Sequence, residues 1–500
     1  MIDLLLVNGH VITMDSQRRI IPDGCVAIDE GKIIEVGETD SVSKKYTAKK
    51  TIDCMDHVVM PGFVDAHGHG GHNGFKSIVK DTSYWMPVMT HLYKTYVTDE
   101  YWYHEAKLSA LHRLQSGVTT GVSVLGSQPR CDDPVFALNY AKGYNEIGVK
   151  PIICTGPCSL PWPHSFGRIV DGKRVIREVS YEEVLQSLET VIGELHNSNQ
   201  GKVKAYVAPF GVITSIDPSA PTPADRCVQL SEHDRMQAKE MRRIAEKFST
   251  RIHTDAFGGM VYLANQDREH ALLGPDVHLQ HCTGLSMDEV VILAESGTRV
   301  SYAPNMEQFK ARTPVLELME LGVTVAMATD GAMLSSSFDM FQMMNRGQQI
   351  ERIQAKDDFV LPSEKVLEMA TIDAAKCIGL EREIGSLERG KKADVVTINI
   401  MAAHLMPRFN VIDTLIGNAN SADISHVVVE GDVLKEKSVI HHVQEREILL
   451  RIESEVQETI KRSGLESFAY PQNNNWGKTK LYFNEYRFDL EENRKDGGSY

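Results

Sequence analysis

The sequence lacks any apolar run of about 18 residues, the length that a transmembrane helix needs. It has no CxxC pair, so its eight cysteines favour reduced thiols over a disulfide or zinc-finger framework. Clustered cations are also missing, and a formal net charge of −15 argues against nucleic acid or an anionic membrane as a partner. The first nine residues carry an acid where a secretory signal would be basic. We therefore expect a cytoplasmic protein.

The composition is that of a globular protein with a well-developed core. Hydrophobic residues make up 42% of the chain and charged residues 24%, both close to globular averages. A length of 500 residues is too great for one small domain, but it suits an α/β barrel with an appended module. The sequence contains neither an internal repeat nor a low-complexity tract.

Eight apolar, β-rich runs alternate with helical stretches through the middle of the chain. Near-continuous apolar strands separated by helices favour a parallel sheet that is covered on both faces, and eight such strands close a (β/α)8 TIM barrel. The runs are 62–67, 118–125, 151–155, 203–209, 250–255, 277–282, 300–304 and 323–330. The helices that can be placed between them are 234–248, 287–296, 314–321 and 364–378. We predict an α/β fold with the barrel at 61–380.

Short strands separated by turn dipeptides occupy both ends of this region. They surround turns such as Glu30-Gly31 near the start of the chain and Glu430-Gly431 near its end. We predict that 1–60 and 381–442 fold together as a small β-sandwich module. Residues 443–500 are predicted to be a helical and polar C-terminal extension with an amphipathic helix at 444–463, either a surface helix or an oligomer contact.

Histidine and aspartate residues stand where the predicted barrel strands end, which is the face that carries the active site of such a barrel. His67 and His69 close the first run, His253 lies in the fifth, His281 in the sixth and Asp330 closes the eighth. Two residues that are two positions apart share one face of a strand. Several imidazoles together with a carboxylate suit zinc or ferrous iron. The pattern therefore predicts a metal centre in the barrel mouth.

The segments around these residues resemble the amidohydrolase superfamily. The matching segments are 61–69 (PGFVDAHGH), 280–282 (QHC), 293–304 and 322–331 (GVTVAMATDG). Within the superfamily, the chain resembles the branch of cytosine, guanine and S-adenosylhomocysteine deaminases and s-triazine hydrolases. This resemblance implies a small-molecule substrate and a homodimer or larger homo-oligomer.

The resemblance also implies the role of each site residue. His67, His69, His253 and Asp330 would be the metal ligands. His281 would polarise the substituent of the attacked carbon or hold the attacking water, and Asp330 would also be the base that takes the water's proton. This agrees with the chemistry alone, because a cation lowers the pKa of bound water towards about 7 and a neighbouring carboxylate can shuttle the proton.

A second metal ion is not expected. The binuclear subtype of the superfamily needs a carboxylated lysine at the end of strand four. Here that run ends in Ala208-Pro209, and Lys202 and Lys204 come too early. The resemblance therefore implies one divalent metal, with zinc expected in preference to iron.

One position departs from the pattern of the branch. Its deaminases carry a glutamate three residues after the strand-five histidine to protonate the ring nitrogen and the leaving amine, whereas this chain has Ala256. Alanine cannot transfer a proton, and such a catalyst contributes about 10²- to 10⁴-fold. Asp255 shares a strand face with His253 and could supply the carboxylate, or it could be a partner of a ligand histidine.

Side chains in the loops after the strands are candidate substrate-binding groups, because aromatic faces suit a flat heterocycle. The candidates are Trp85, Trp162, Phe210, Asn305 and Gln308. His72, in the loop after the first run, is interpreted as a solvated loop histidine, although it could reach the substrate.

We therefore expect a metal-dependent hydrolase that acts on a non-peptide carbon–nitrogen bond of a small cyclic compound, chiefly as an aminohydrolase of a heterocycle. Two alternatives stay open: ring opening of a cyclic amide, as in imidazolonepropionase, and displacement of a non-amine group, as in chlorohydrolases. A non-catalytic scaffold is disfavoured, because such relatives usually lose metal ligands and this chain keeps all five site positions.

Overall fold

The structure is a computed structural model that describes residues 1–78, 82–215, 229–305, 311–332, 337–470 and 476–479. Its strands are β1 (Ile2–Ile12), β2 (Ile20–Asp29), β3 (Lys32–Glu38), β4 (Ala48–Asp53), β5 (His57–Pro61), β6 (Phe63–Asp65), β7 (His69–Gly70), β8 (Val118–Leu125), β9 (Lys150–Thr155), β10 (His164–Val170), β11 (Lys173–Val179), β12 (Lys204–Val207), β13 (Ile252–Phe257), β14 (Val277–Thr283), β15 (Arg299–Tyr302), β16 (Val325–Met327), β17 (Val395–Asn399), β18 (Ile424–Val429), β19 (Asp432–Glu436) and β20 (Val439–Ile440).

The helices alternate with the strands of the middle region and continue to the end of the chain. They are α1 (Thr39–Val42), α2 (Thr82–His91), α3 (Asp99–Gln115), α4 (Val135–Ile147), α5 (Tyr181–Leu195), α6 (Glu232–Lys247), α7 (Met260–Ala264), α8 (Met287–Ser296), α9 (Val315–Glu320), α10 (Met340–Ala355), α11 (Ser363–Met369), α12 (Ile372–Cys377), α13 (Val411–Asn418), α14 (Glu445–Ser463) and α15 (Glu466–Ala469). Within the described ranges, none of these helices is both long and apolar enough to cross a membrane.

Eight parallel strands form the central barrel. Their order is β6, β8, β9, β12, β13, β14, β15 and β16, so neighbours in the barrel follow one another along the chain. The last strand returns to the first, because the N–H of Asp330 donates to the carbonyl of His67 at 2.9 Å and Gly68 bridges to Asp330. Each of the eight predicted runs overlaps one of these strands, so the predicted TIM barrel is confirmed.

Burial on both faces explains why these strands are continuously apolar. All eight residues of β8 and all seven of β14 are buried. The covering helices are amphipathic: α5 begins with a capping box between Ser180 and Glu183 and buries Val184, Leu188 and Val191 against the strands. The barrel therefore presents its polar residues mainly where the strands end.

The predicted helix at 364–378 is wrong as a single element. The structure has two helices there, α11 and α12, with Thr371 between them at φ −129° and ψ −96°. The carbonyl of Ala370 accepts a hydrogen bond from the N–H of Val64 at 3.0 Å. Because this carbonyl binds the first barrel strand, the helix breaks at a point that side-chain periodicity does not reveal.

Nine strands from the two ends of the chain form one mixed sheet. Its order is β20, β19, β18, β17, β5, β1, β2 and β3, with β4 beside β1. The antiparallel pair of β17 and β5 joins the two ends. Leu4, Leu6 and Val26 of the first segment share one apolar cluster with Val395 and Val428 of the second. The two terminal segments therefore fold together.

The predicted helix at 444–463 is present as α14, and it packs against α3 of the barrel. Its apolar side chains Ile448, Ile452 and Ile460 are buried. Thr98, the N-cap of α3, also donates to Glu455 Oε1 at 2.8 Å. This helix thus covers the outer side of the barrel helix that precedes β8.

Candidate active site

Five polar side chains converge where the barrel strands end. His67 follows β6, His69 begins β7, His253 lies on β13, His281 on β14 and Asp330 follows β16. All five are buried. The fold therefore brings together every residue that the strand-end pattern singles out.

Three of these side chains are spaced as the ligands of one metal ion. The Nε2 atoms of His67 and His69 lie 3.3 Å and 3.1 Å from Oδ1 of Asp330. Donor atoms at bond lengths of about 2.0–2.1 Å from a tetrahedral zinc ion are about 3.3 Å apart. His253 adjoins this group, since its Nε2 lies 2.7 Å from Nδ1 of His67.

The buried nitrogens of the site support a bound cation. Nε2 of His67 and Nδ1 of His69 have no hydrogen-bond partner among the described residues. A buried polar atom without a partner is costly, and a metal ion would satisfy Nε2 of His67. Imidazole nitrogens with one carboxylate are donors that suit zinc and ferrous iron. The residues present therefore fit a divalent metal.

The protonation states of Asp330 and His253 agree with metal binding. Burial alone would raise the pKa of Asp330, but the imidazoles of His67, His69 and His281 beside its carboxylate hold this pKa well below its ordinary value. Burial, with the imidazoles of His278 and His67 nearby, lowers the pKa of His253 well below its ordinary value. An ionised carboxylate and a neutral imidazole are the forms in which these groups bind metals.

Hydrogen bonds behind His253 orient its ring. Its Nδ1 lies 3.0 Å from the carbonyl of His278, which fixes Nε2 as the nitrogen that faces the site. The rings of His253 and His278 stack with centroids 4.1 Å apart, and Nε2 of His278 lies 2.9 Å from Oγ of Ser301. Support of this kind fixes the tautomer and direction of a ligand histidine.

Asp255 and His281 form the second half of the site. Nε2 of His281 lies 3.8 Å from Oδ2 of Asp255 and 3.8 Å from Oδ2 of Asp330. His67, Asp255 and His281 also have donor atoms within 4.8 Å of one another. The Asp255 side chain is 24% exposed, whereas those of His281 and His67 are 5% and 0% exposed. Asp255 is therefore the most solvent-accessible of the three.

Ala256 points away from this group. It is completely buried in the main hydrophobic core. The pairing of β13 with β14 shifts register after Ala256, and the next side chain, Phe257, stacks on the ring of His281 with centroids 5.4 Å apart. The carboxylate that this strand end places in the site is therefore that of Asp255.

Two of the site residues have left-handed backbone conformations. His281 has φ 69° and Asp330 has φ 59°, values that non-glycine residues adopt rarely. At Asp330 the turn is stabilised by its own side chain, because Oδ1 accepts the N–H of Gly331 at 2.7 Å. Such conformations cluster at functional sites, where the rest of the fold stabilises them.

The interpretation of His72 as a solvated loop histidine is wrong. Its side chain is completely buried and stacks on His69 with ring centroids 4.6 Å apart. Its Nε2 lies 3.2 Å from Oγ of Ser127. Gly71 allows the loop to turn inward, because a Cβ at this position would lie 2.7 Å from the indole of Trp102.

The two candidate tryptophans contact different neighbours. Trp85 is partly buried and meets the ring of His72 edge-on at 6.0 Å, so it lies next to the histidine that stacks on His69. Trp162 is partly buried and packs against His164 at 4.5 Å and Tyr181 at 5.5 Å. Its ring thus contacts the first residue of β10 and the first residue of α5.

The other candidates fall into three cases. Phe210 is partly buried in the loop after β12, where its N–H donates to the carbonyl of Pro157 at 2.8 Å. Asn305 is buried and its Nδ2 donates to the carbonyl of Thr329 at 3.1 Å, directly before Asp330. Gln308 lies outside the described residues.

Sequence reasoning missed a buried ion pair that includes Asp65, two residues before His67. Arg113 of α3 and Asp65 of β6 are both completely buried, and Nη2 of Arg113 lies 2.6 Å from Oδ2 of Asp65. Arg113 is one of several charged and polar residues of α3, and no motif connects it with Asp65, which is 48 positions away. Only the fold brings the two together.

Comparison with known proteins gives the same family. The model of the amidohydrolase family matches residues 58–434. The chain is 27% identical to the 5-methylthioadenosine/S-adenosylhomocysteine deaminase of Syntrophobacter fumaroxidans over 457 residues, 90% of this chain and 97% of that protein.

Solved structures share the fold. An adenosine deaminase from Xanthomonas campestris with bound zinc has a TM-score of 0.78 at 19% identity, over 92% of this chain and 99% of that one. Atrazine chlorohydrolase from Arthrobacter aurescens in complex with zinc has a TM-score of 0.73 at 20% identity, over 91% and 100%. The family match covers most of the chain and confirms the resemblance seen in the motifs. The protein therefore belongs to the amidohydrolase family.

Proposed function

We propose that this hydrolase of carbon–nitrogen bonds is a metal-dependent aminohydrolase that removes an amino group from a ring carbon of a nitrogen heterocycle. The observation that carries the proposal is the position of Asp255. Its carboxylate lies 3.8 Å from Nε2 of His281 and within 4.8 Å of a nitrogen of His67, and the side chain is 24% exposed. Asp255 can exchange a proton with the substrate, whereas the methyl side chain of Ala256 cannot.

His67, His69, His253 and Asp330 would hold one divalent metal, zinc in preference to iron. When bound, such an ion lowers the pKa of a water molecule towards about 7 and so supplies the nucleophile at neutral pH. The spacing of 3.1–3.3 Å between the donor atoms of His67, His69 and Asp330 supports this assignment. Zinc is also present in the solved structures that share the fold.

Asp330 is placed to take the proton of the attacking water. Its pKa is held low, so the carboxylate is ionised at neutral pH, and Oδ2 lies 3.8 Å from His281. His281 stands between Asp330 and Asp255 and would hold the oxygen that joins the attacked carbon. Asp255 would deliver a proton to the ring nitrogen and would recover one from the hydroxyl group of the adduct. A carbon–oxygen bond forms, the carbon–nitrogen bond breaks, and the amine leaves as ammonia with the proton taken from water.

An adenosine-like purine is the first substrate class to test. The similar bacterial protein is named as a deaminase of 5-methylthioadenosine and S-adenosylhomocysteine, and it matches 90% of this chain. Phe257, which stacks on His281, together with Trp85 and Phe210 would present flat apolar faces to a purine ring. At 27% identity, the substituents of that ring are open to variation.

Ala256 favours a second candidate function. Without the glutamate of the deaminases, a leaving group that needs little protonation would be displaced more readily than an amine. Hydrolytic opening of a cyclic amide would likewise be favoured over loss of an amine. The structural likeness to a chlorohydrolase agrees with displacement of a non-amine group. Here Asp255 would serve only to orient His281.

Metal analysis combined with product analysis separates these functions. The purified protein is assayed for bound zinc and iron, and then for ammonia release from adenosine derivatives, guanine, cytosine, pterins and aminotriazines. Cyclic amides are assayed for ring opening, and chlorotriazines for chloride release. One metal per chain with ammonia from any member supports the aminohydrolase. One metal with a ring-opened acid or released chloride supports the second candidate, and the absence of tightly bound metal contradicts both.

The organisation of the chain and its assembly are part of the proposal. We propose a barrel domain at 61–380, a composite module of 1–60 with 381–442, and an extension at 443–500. The nine-stranded sheet drawn from both ends of the chain supports the composite module. The family resemblance supports a homodimer or larger homo-oligomer, and light scattering of the purified protein measures that state. The scattered cysteines support a cytoplasmic location.

A further inference from the structure

Asp65 joins two of the segments that carry the proposed metal ligands, the one with His67 and His69 and the one with Asp330. Its Oδ1 accepts the N–H of Thr329 at 3.0 Å, and its Oδ2 accepts the hydroxyl of Thr329 at 2.7 Å. Asp65 lies two residues before His67, and Thr329 lies immediately before Asp330. One carboxylate therefore connects the first barrel strand with the turn that follows the last one.

Arg113 binds the carboxylate of Asp65 through two of its guanidinium nitrogens. Its Nη2 and Nε lie 2.6 Å and 3.2 Å from Oδ2 of Asp65. The rest of the guanidinium is also bonded: Nη1 donates to Ser123 Oγ and Tyr144 OH, each at 2.8 Å, and Nη2 donates to the carbonyl of Val122 at 2.7 Å. A planar group with five donors, each aimed at a fixed acceptor, keeps a rigid position.

Two glycines make room for the guanidinium. A Cβ at Gly68, between the two ligand histidines, would lie 2.6 Å from Nη2 of Arg113. A Cβ at Gly121 of β8 would lie 2.6 Å from Cζ of Arg113. Arg113 therefore touches the backbone that separates His67 from His69.

We propose that the buried pair of Asp65 and Arg113 is a positioning element, which sets the distance from His67 and His69 to Asp330. The inference rests on the proposed metal centre. Asp330 reaches His67 and His69 from the opposite end of the strand order, so the ligand spacing depends on how the first and last strands are joined. Partners behind metal ligands affect metal affinity by about 10- to 100-fold.

A second buried ion pair provides a matched control. Nζ of Lys150 lies 2.5 Å from Oδ2 of Asp394, and both side chains are buried. Lys150 begins β9, and Asp394 directly precedes β17 of the terminal sheet, so this pair lies at the end of the barrel strands away from the ligands. A buried ion pair of purely structural importance would affect folding stability but not the metal centre.

The test measures the zinc dissociation constant and the visible absorption spectrum of the cobalt-substituted full-length protein. Thr329→Val removes the hydroxyl contact with Asp65 but keeps both buried charges, and Arg113→Lys keeps the charge but loses the fork. We expect each variant to bind zinc about 10- to 100-fold more weakly and to shift the cobalt bands. Thr329→Ser, which retains the hydroxyl, should restore both properties.

The control and the contrary outcomes separate this inference from the proposed function. Lys150→Met should lower the melting temperature but leave the zinc affinity and the cobalt spectrum unchanged. Folded Thr329→Val and Arg113→Lys proteins with unaltered zinc affinity and cobalt spectrum would overturn the positioning role while leaving the metal centre intact. If the unaltered protein binds no metal, the metal centre itself is overturned, and the positioning role with it.

Discussion

The carboxylate of Asp255 lies 3.8 Å from the imidazole of His281, while the next residue, Ala256, is buried in the core. The chain therefore keeps an acid at the end of the fifth barrel strand, one position earlier than the glutamate of the resembling deaminases. The strand can present it because Asp255 shares a face with His253. The shift retains a carboxylate beside His281, and under the proposed function this carboxylate would transfer the proton.

Asp255→Asn should lower the turnover number for ammonia release by about 10²- to 10⁴-fold, since an amide cannot transfer a proton. Metal content should stay at one ion per chain, because Asp255 is outside the proposed ligand set. Steady-state kinetics with the best substrate of the panel, together with metal analysis, measure both quantities. Asp255→Glu is the matched control and should retain part of the activity. Activity within a few-fold of the unaltered protein for Asp255→Asn would contradict the assigned role.

Ala256→Glu should not restore a deaminase-like site, although it recreates the usual residue at that position. Ala256 is 0% exposed within the main hydrophobic core, so a glutamate there would be overpacked and its charge would lack water. We expect a loss of about 1–3 kcal/mol or more in the free energy of unfolding, measured by denaturant titration. A gain in ammonia release without loss of stability would show that residue 256 reaches the site.

The barrel and the grouping of the strand-end histidines with Asp330 could be predicted because both depend on local pattern. Continuous apolar runs such as β8 and β14 indicate buried parallel strands, and each run predicted from the sequence overlaps one barrel strand. Once the strands are placed, the fold dictates that His67, His253 and Asp330 share one end. Their grouping follows from the strand order.

The remaining parts of the site depend on contacts between segments far apart in the sequence. Arg113 is one of several charged residues on α3, and its partner Asp65 is 48 positions away. His72 lies in a glycine-rich loop that looks solvated until the packing of Trp102 against Gly71 is known. The break at Thr371 arises from a backbone bond to the first barrel strand. None of these features has a local sequence signal.

Gly331→Ala should disturb the metal centre through a steric contact with His72. A Cβ at position 331 would lie 2.8 Å from Nδ1 of His72 and 3.4 Å from Cδ2 of His69. We expect a loss of about 1–3 kcal/mol in the free energy of unfolding, with weaker zinc binding. The double variant with His72→Ala should recover part of that loss, because the shortened side chain leaves space. Additive effects of the two substitutions in a double-mutant cycle would argue against this contact.

The extension helix α14 should stabilise the barrel without affecting its chemistry. Ile452 is 4% exposed on the side of α14 that meets α3, whereas Leu450 of the same helix is 52% exposed. Ile452→Ala should lower the free energy of unfolding by about 2–5 kcal/mol, and Leu450→Ala by no more than about 0.5 kcal/mol. Both proteins should bind one metal ion. Equal effects of the two substitutions would mean that α14 does not pack on the barrel in solution.

Removal of the metal should destabilise the folded protein. A ligand that binds only the native state adds about 4.1 kcal/mol to the free energy of unfolding when its concentration is 1,000 times the dissociation constant. Chelation should therefore lower the melting temperature, and added zinc should restore it. His69→Ala should abolish this response, because it removes the imidazole 3.1 Å from Asp330, while His404→Ala, a change outside the site, should preserve it. A melting temperature that is the same with chelator and with zinc would contradict a metal bound by His67, His69 and Asp330.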